Sequence, residues 1–294
     1  EIPEQPLAFY INENNLEITV QYQNGEYHFM GQVADEYPIP VSSDDARNSI
    51  ALSTRLLQTG ISRALFATAD DTIRPVMNGV LFDFFDNKLT LVASDGHKLS
   101  CNTIFNIEAV GEGKIILPKK PAQLIKNLLS KEQGEVNIRF GERNAYISTT
   151  GYKLICRQIE GRYPNYNSVI PSDNPNRVVV NRSALQGALR RVLIFSNQNS
   201  ALIKLRLDIG KLTISSQDID FSMSAEENLL CDYSGIPLNI GFKGTFLMEL
   251  LSNLDSEEIT IYLSDSSRAG VIRPTIQNEN EEVLMLLMPM MLND

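Results

Sequence analysis

Two segments of the chain repeat the same succession of apolar and polar positions. The first begins at Leu56 and the second at Ala184, and in each the apolar residues recur at i, i+4, i+7 and i+8. This spacing predicts amphipathic helices over residues 53–68 and 182–195. Two further helices are predicted over residues 118–130 and 244–254. Near the end of each of the two repeated segments, a strand starts with the same triplet, KLT, at Lys88 and Lys211.

Between the helices, apolar and polar residues alternate over short segments separated by turn sequences such as DNK, DIGK and TTG. This alternation predicts antiparallel strands with one buried face. The predicted strands cover residues 80–85, 88–93, 97–104, 136–140, 145–149, 152–158, 211–216 and 258–263. Two helices among many short strands make each repeat an α+β domain.

A second repeated phrase sets the domain boundaries. GEYHFMGQVADEYPIP starts at Gly25, and the related GYKLICRQIEGRYPNYNSVIP starts at Gly151, so the Tyr-Pro prolines Pro38 and Pro164 lie about 125 residues apart. That period has the length of a whole domain. We therefore predict the end of a first domain over residues 1–44, a second domain over 45–168 and a third over 169–294. Most of a first domain is expected to precede this chain in the intact protein.

Composition is typical of a soluble globular protein, with 43% hydrophobic and 21% charged residues. No apolar run reaches the roughly 18 residues of a membrane span, and the first residues lack the pattern of a signal peptide. The cysteines Cys101, Cys156 and Cys231 are odd in number and widely spaced, which indicates neither a disulfide framework nor a metal site. A cytoplasmic location is expected.

The net charge is −10, but basic residues are concentrated in the four helical segments, taken with their flanking residues as 51–68, 118–131, 181–197 and 241–254. These segments contain Arg55, Arg63, Lys119, Lys120, Lys126, Lys131, Arg182, Arg190, Arg191 and Lys243, with Glu249 as their one acid. For a single helix, a solvated face explains such a pattern. Four equivalent helices favour a basic surface that contacts phosphates without reading bases. The absence of Trp and of interleaved aromatic residues favours duplex over single-stranded DNA.

Catalytic signals are few. Asp95 and His97 in SDGHKL could form an acid–base pair, but Asp-Gly is first a turn signal and favours an Asx turn. VGEGKIIL, from Val110 to Leu117, lacks the spacing of a phosphate loop and is typical of a hairpin connection. We predict no catalytic residue, no metal site and no cofactor, so the chain is expected to be a binding protein.

The C-terminus places Met285, Met288, Met290 and Met291 around Pro289. Val283 to Leu287 is predicted to be a final strand, whereas the residues beyond the proline fit a sheet poorly because Pro cannot donate to a ladder. Flexible methionine side chains suit a surface that accepts different apolar anchors. A peptide-binding pocket is therefore a hypothesis for this segment.

Four motifs closely resemble those of the bacterial DNA polymerase III β sliding clamps, and the similarity runs in order over the whole chain. They are RPVMNGVLFDF from Arg74, LVASDGHKLS from Leu91, RQIEGRYPNYNSVIP from Arg157 and MPMML from Met288. The resemblance implies repeated clamp domains, three per subunit, with two subunits closing into a ring around duplex DNA. It implies a non-catalytic processivity factor that acts in the cytoplasm on nucleoid DNA and tethers the replicative polymerase, the clamp loader and other proteins with a clamp-binding motif.

The resemblance also implies three sets of site residues. The partner-peptide pocket would comprise Met77, Ser94, Gly96, His97, Lys98, Leu99, Pro164, Ser168, Val169, Ser200, Lys243, Phe246, Leu286, Met288, Pro289, Met290 and Met291. The DNA-facing residues would be Arg55, Arg63, Arg74, Lys119, Lys120, Lys126, Arg182, Arg190 and Arg191, and the homodimer interface would include Ile194 and Phe195. Four positions depart from the common pattern: Ser168 and Met291 are often arginine, Ser200 can be aromatic and Lys243 can be asparagine.

Two alternatives stay open from the sequence. One is an adaptor or regulator of replication that uses the peptide pocket without encircling DNA. The other, less favoured, is a phosphate-directed, metal-dependent hydrolase that uses Asp95 and His97.

Overall fold

The computed structural model describes residues 2–37 and 46–292, which fold into two compact units, one on each side of residues 42 and 43. Pro38 and the predicted boundary at residues 44 and 45 lie outside the described residues. The first unit is an antiparallel sheet in the order β1-β2-β3, followed by a short 3-10 helix at Ala34–Glu36. Its strands are β1 (Ala8–Asn12), β2 (Glu17–Tyr22) and β3 (Gly25–Met30).

The second unit contains the two repeats. The first repeat comprises β4 (Asn48–Ser53), α1 (Thr54–Leu65), β5 (Gly79–Phe85), β6 (Lys88–Ser94), β7 (Lys98–Ile104), β8 (Glu108–Val110), β9 (Gly113–Pro118), α2 (Lys119–Leu129), β10 (Glu135–Phe140), β11 (Asn144–Ser148) and β12 (Lys153–Arg157). The second comprises β13 (Asn176–Asn181), α3 (Arg182–Val192), β14 (Leu202–Asp208), β15 (Lys211–Asp218), β16 (Met223–Leu230), β17 (Leu238–Lys243), α4 (Gly244–Ser252), β18 (Glu258–Leu263), β19 (Gly270–Pro274) and β20 (Glu281–Leu287). Apart from β8, the two repeats have the same order of elements.

The α+β fold class and the predicted helices and strands are confirmed, and the KLT triplets begin β6 and β15. Side-chain caps help to define where the long helices start. Ser53 Oγ accepts a hydrogen bond from the Leu56 N–H, and Asn181 Oδ1 accepts one from the Ala184 N–H. Such caps satisfy N–H groups that have no partner within the helix. The predicted apolar stripe of α1, including Leu57, Ile61 and Leu65, is buried.

One predicted connection is wrong. Val110 to Leu117 does not form a hairpin, because β8 pairs with β4 whereas β9 pairs with β5 in a different sheet. Gly111, in the left-handed region at φ 78°, lies in the turn between them. Local turn residues predicted the change of direction but not the partner strands.

The repeats are joined through one continuous antiparallel sheet in the order β13-β18-β19-β20-β7-β6-β5-β9. Strand β20 of the second repeat pairs with β7 of the first, which places Leu286 opposite Leu99. Two smaller sheets, β12-β11-β10-β4-β8 and β16-β15-β14-β17, belong to one repeat each.

Side chains alternate across the eight-stranded sheet, as expected for a pleated strand. On β5, Val80 and Phe82 belong to the core that also contains α1 and α2, whereas Leu81 lies on the opposite face. That opposite face carries a second apolar cluster, which Tyr163 and Tyr166 of the linker between β12 and β13 complete. The sheet therefore has a helix side and a linker side.

Candidate functional site

The C-terminal residues connect the two repeats. After β20 ends at Leu287, the Met288 N–H donates to the His97 carbonyl at 2.8 Å, and the Met290 N–H donates to the Gly241 carbonyl at 2.8 Å. Pro289, which has no N–H, falls between these two bonds. Met288 and Met291 remain exposed, with 42% and 82% of their surface accessible. The backbones of Met288 and Met290 are thus held in place, while the side chains of Met288 and Met291 stay exposed.

The Phe246 ring, in the first turn of α4, lies at the centre of three groups predicted for the pocket. Lys98 Nζ is 4.2 Å and Lys243 Nζ is 4.8 Å from the ring centroid, and the His97 ring centroid lies at 6.1 Å. Ammonium groups at these distances are attracted to an aromatic face. His97 and Lys98 come from the first repeat and Lys243 and Phe246 from the second, so the fold brings together residues that are about 150 positions apart.

Lys98 is buried, and its ammonium group is neutralised by two carboxylates. Its Nζ lies 2.9 Å from Asp95 Oδ2 and 3.0 Å from Glu249 Oε2. Burial alone would lower the pKa of Lys98, but the bonds to Asp95 and Glu249 raise it overall. Burial alone would likewise raise the pKa of Asp95, but hydrogen bonds from the backbone and side chain of Lys98 and from the His97 N–H lower it. The sequence did not identify Asp95 and Glu249 as the ion-pair partners of Lys98.

The turn that carries His97 is the predicted Asx turn. Asp95 Oδ1 accepts hydrogen bonds from the N–H groups of His97 and Lys98 at 2.8 and 2.9 Å. Ser94 Oγ donates to the Lys98 carbonyl and accepts from the Gly96 N–H. Because Asp95 bonds the His97 backbone and Lys98, no acid–base dyad with the imidazole forms here.

Leu99 and Leu286 form an apolar floor beside these residues. Both are buried and face each other across β7 and β20, in the cluster that contains Tyr163 and Tyr166. The linker then exposes Pro164, Ser168 and Val169, with Val169 53% accessible. Ser200, whose Oγ accepts from the Leu202 N–H, precedes Ala201, and the Ala201 carbonyl accepts from the first N–H of α4.

Two placements differ from the expectation. Met77 is buried, and its carbonyl accepts a hydrogen bond from the Ala69 N–H, so its side chain is not part of the exposed surface. Arg74, expected to face DNA, lies on a loop outside the helices and is bonded to Asp71 at 2.8 Å. A Cβ built on Gly96 would be 3.4 Å from Arg74 Nη1. Arg74 therefore lies beside the turn that carries His97.

The other predicted DNA-facing residues form three groups. Arg55, Lys120 and Arg190 are exposed, Lys126 is half-buried, and none of these four has an ion pair with another residue of the described ranges. Lys119 and Arg191 reach solvent but pair with Asp70 and Glu227. Arg182 donates to the carbonyls of Leu251 and Ser256.

The prediction that Arg63 faces DNA does not agree with its position. Its side chain is only 9% exposed, and its guanidinium bonds Glu281 at 2.8 Å and Asp255 at 3.0 Å. Arg191, in the same register of the other repeat, is 63% exposed. Arg63 lies where α1 meets β20, and a buried arginine paired with two carboxylates is not available to a phosphate.

Ile194 and Phe195 form the end of a short 3-10 helix, Leu193–Phe195, that follows α3. They are 70% and 37% exposed. Strand β16 of the same repeat is one of the two edge strands of its sheet. An apolar pair on the surface is suited to contact with another protein chain.

Neither a metal centre nor a membrane helix is found in the part of the chain that the structure describes. No three His, Cys, Asp or Glu side chains of residues 2–37 and 46–292 converge in a way that could hold a metal ion. Across the same ranges, no helix has both the length and the apolar character to cross a bilayer.

Comparison with known proteins gives two family matches. Residues 51–165 match the family model "DNA polymerase III beta subunit, central domain" and residues 167–291 match "DNA polymerase III beta subunit, C-terminal domain". Among curated proteins, the beta sliding clamp of Pseudomonas aeruginosa is 30% identical over 261 residues, covering 88% of this chain and 70% of that protein. The beta sliding clamp of Pseudomonas putida is 31% identical over 226 residues, covering 76% of this chain and 61% of that protein.

Solved structures agree with the sequence matches. The sliding clamp of Pseudomonas aeruginosa bound to griselimycin has a TM-score of 0.90 and 26% identity, covering 97% of this chain and 76% of that one. The sequence thus matches one family over residues 51–165 and 167–291, and the fold matches a member of that family over 97% of the chain. The chain belongs to the DNA polymerase III beta subunit family, the beta sliding clamps.

Proposed function

We propose that this chain is part of a non-catalytic processivity factor that encircles duplex DNA as a homodimeric ring and tethers the replicative polymerase. The same pocket would receive the clamp loader and other clamp-binding proteins. Its place of action would be the cytoplasm, on nucleoid DNA. The observation that carries the proposal is the convergence of His97, Lys98, Phe246, Met288 and Met290 from both repeats beside an apolar floor.

The peptide pocket, defined as the residues around Phe246 with the C-terminal methionines and the linker residues Pro164, Ser168 and Val169, suits a short extended peptide. Val169 and Met288 offer exposed apolar area, and the Met288 side chain can adapt to an inserted residue. The fixed backbone of Met288 and Met290 means that little ordering cost falls on binding.

Peptide binding is tested with two probes, a synthetic peptide copied from the clamp-binding segment of the polymerase and griselimycin, which a Pseudomonas aeruginosa clamp binds. We expect both probes to bind, each to displace the other, and Phe246→Ala to weaken the peptide by about tenfold or more, as for a central aromatic contact. If neither the peptide nor griselimycin binds, the proposed pocket is contradicted.

DNA contact would be made by the exposed basic side chains of the helices. Arg55, Lys120 and Arg190 are exposed on α1, α2 and α3 and carry no intramolecular ion pair within the described ranges. Weak phosphate contacts of this kind permit sliding because they are independent of sequence. The acidic remainder of the protein would disfavour binding to DNA outside the ring.

The intact protein, loaded on nicked circular DNA, tests the ring. It should stay on the circle and leave when the circle is cut, and retention on the linear DNA would refute topological binding. A variant with Arg55, Lys120 and Arg190 changed to Glu should lose retention. The control variant changes Arg143, Lys153 and Arg157, which are exposed and lie outside the helices, to Glu. It alters the net charge of the protein by the same amount. Loss of retention with intact peptide binding separates the ring from the adaptor alternative.

The homodimer is tested in the same intact protein. Phe195→Glu places a charge in the exposed apolar pair of Ile194 and Phe195. We expect the mass in solution to fall from that of a dimer to that of a monomer, measured by light scattering. An unchanged dimer would place the interface elsewhere.

A further inference from the structure

The linker between β12 and β13 crosses the outer face of the eight-stranded sheet and is attached at both ends. The Ile159 N–H donates to the Ile116 carbonyl at 2.9 Å near its start, and the Asn174 side chain donates to the carbonyls of Tyr262 and Ala269 near its end. Between these points the linker carries three predicted wall residues of the peptide pocket, Pro164, Ser168 and Val169.

The middle of the linker is a single 3-10 turn, Tyr166–Val169, in which Tyr166 is the buried residue. The Ser168 hydroxyl donates to the Asn165 carbonyl, which is a bond within the turn and does not attach it to the sheet. Asn165 makes no side-chain cap. Within the turn, Tyr166 makes the contact with the sheet, while Tyr163 and Ile170 pack on the same apolar cluster before and after it.

The Tyr166 hydroxyl contacts a charged side chain on the sheet. The hydroxyl donates to Asp83 Oδ2 at 2.9 Å, and Lys114 Nζ donates to the same oxygen at 2.7 Å. Asp83 and Lys114 face each other across β5 and β9. Asp83 is only 15% exposed and Tyr166 only 9%, whereas Lys114 is 63% exposed. A hydrogen bond to a charged acceptor in such partial burial is stronger than one between neutral groups.

These three residues, named the linker anchor, stand between two cavities. A cavity of about 550 Å³ lies on the side of Phe85 and Glu112, and one of about 360 Å³ lies on the side of Pro164 and Ile116, with Lys114 and Tyr166 lining both. The Tyr166 ring packs in the apolar cluster on the linker side of the sheet, and its hydroxyl end reaches Asp83 between the two cavities. The bond to Asp83 therefore adds a directed polar contact to this packing.

We propose that Asp83 is a positioning residue for the peptide pocket and acts through Tyr166, with Lys114 as counter-ion. The inference rests on the proposed function of the pocket. The linker anchor holds the turn so that Pro164, Ser168 and Val169 form the pocket wall before a peptide arrives. Without the anchor, the turn samples other positions, and a peptide must order it on binding. The apparent affinity then falls in proportion to the fraction of molecules in which the wall is already formed.

The test measures the dissociation constants of the polymerase peptide and of griselimycin for four variants. Tyr166→Phe removes the donor and Asp83→Ala removes the acceptor, and each should weaken binding by about tenfold or more, the range for loss of one hydrogen bond to a charged group. Asp83→Asn keeps an acceptor oxygen for the tyrosine but removes its charge, so it should weaken binding less than Asp83→Ala does. Thr90→Val is the neighbouring control, because Thr90 lies across from Asp83 and the change removes the Thr90–Thr103 bond while leaving the Tyr166–Asp83 bond in place.

Hydrogen exchange provides a readout that a loss of general stability would not give. In Tyr166→Phe and Asp83→Ala, amides of residues 165–170 should exchange faster while those of β5 and β9 keep their protection. Equal binding by the parent, Tyr166→Phe and Asp83→Ala would refute the anchor and leave the pocket intact. A similar loss in Thr90→Val would also refute it, and failure of the parent to bind either probe would instead refute the proposed pocket.

Discussion

Arg63 Nη1 lies 2.8 Å from Glu281 Oε1, and this ion pair joins α1 of the first repeat to β20 of the second. Both side chains are less than one-tenth exposed, and Arg63 also reaches Asp255. Glu281 accepts a further hydrogen bond from the Asn278 side chain. The pair thus lies where the repeats meet, on the helix side of the shared sheet.

Arg63→Ala should lower the free energy of unfolding by about 3–5 kcal/mol, because it leaves Glu281 buried without its counter-ion. Urea denaturation measures this change. The exposed Arg55 on the same helix is the matched control, and Arg55→Ala should change the free energy of unfolding by less than about 0.5 kcal/mol. Exchanging both members in Arg63→Met with Glu281→Met should cost less than the two single changes added together. A loss below about 1 kcal/mol for Arg63→Ala would contradict this role.

Gly241→Ala should weaken the polymerase peptide by about tenfold, as expected when a whole binding surface is displaced and several interactions with the peptide weaken together. A Cβ at Gly241 would lie 2.7 Å from the Met290 carbonyl oxygen and 2.8 Å from Leu292 Cδ2, so the C-terminal backbone has to move. Isothermal calorimetry with the peptide measures the effect. Gly187→Ala is the control, because a Cβ there meets only Arg191 Nη1 at 3.5 Å and the helix gains stability. Unchanged affinity in Gly241→Ala would show that the methionine segment does not form the pocket.

Asp95 should contribute to a loss of stability in acid. Hydrogen bonds from Lys98 and His97 outweigh burial and hold the pKa of Asp95 below its ordinary value of 3.8. A carboxylate with a lowered folded pKa stabilises the protein above its unfolded pKa, and this stability is lost as pH falls through the folded value. Asp95→Asn should therefore be less stable than the parent at pH 7 and show a smaller further loss at pH 3.

The free energy of unfolding in urea at both pH values measures this difference. Lys98 works in the opposite direction. Because its pKa is raised, its contribution is present below its ordinary pKa and is lost only as pH rises through the higher folded value. The exposed Asp173 serves as control, and Asp173→Asn should follow the parent at both pH values. The same acid dependence in the parent and Asp95→Asn would contradict the prediction.

The three thiols should differ in reactivity. Burial raises the pKa of Cys101 to about 12 and that of Cys156 to about 11, so almost no thiolate is present at pH 8. Burial also raises the pKa of Cys231, whose side chain is partly exposed. With a thiol-specific disulfide reagent at pH 8, we expect slow modification of Cys231 and reaction of Cys101 and Cys156 only after unfolding. Mass spectrometry of peptides identifies the sites, and rapid modification of all three in the native protein would disagree.

The sequence predicted much of the candidate pocket through the resemblance, and the structure brings His97, Lys98, Lys243, Phe246 and Met288 together. The sequence did not indicate which two carboxylates neutralise Lys98, nor did it indicate the Asp83–Tyr166 bond. Glu249 stood out only as the one acid in a basic set of helices, and Asp83 is an ordinary polar position on an alternating strand. Their roles depend on neighbours that are far away along the chain.

The sequence by itself determined the helices, most strands, the repeat and the family, because apolar period, caps and turn residues act between neighbours in the chain. Only the tertiary structure decided that β7 pairs with β20 and that Arg63 is buried whereas Arg191 is exposed. Strand pairing and the burial of a charge are set by contacts between distant segments, and two arginines in the same helical register are indistinguishable until those segments are in place.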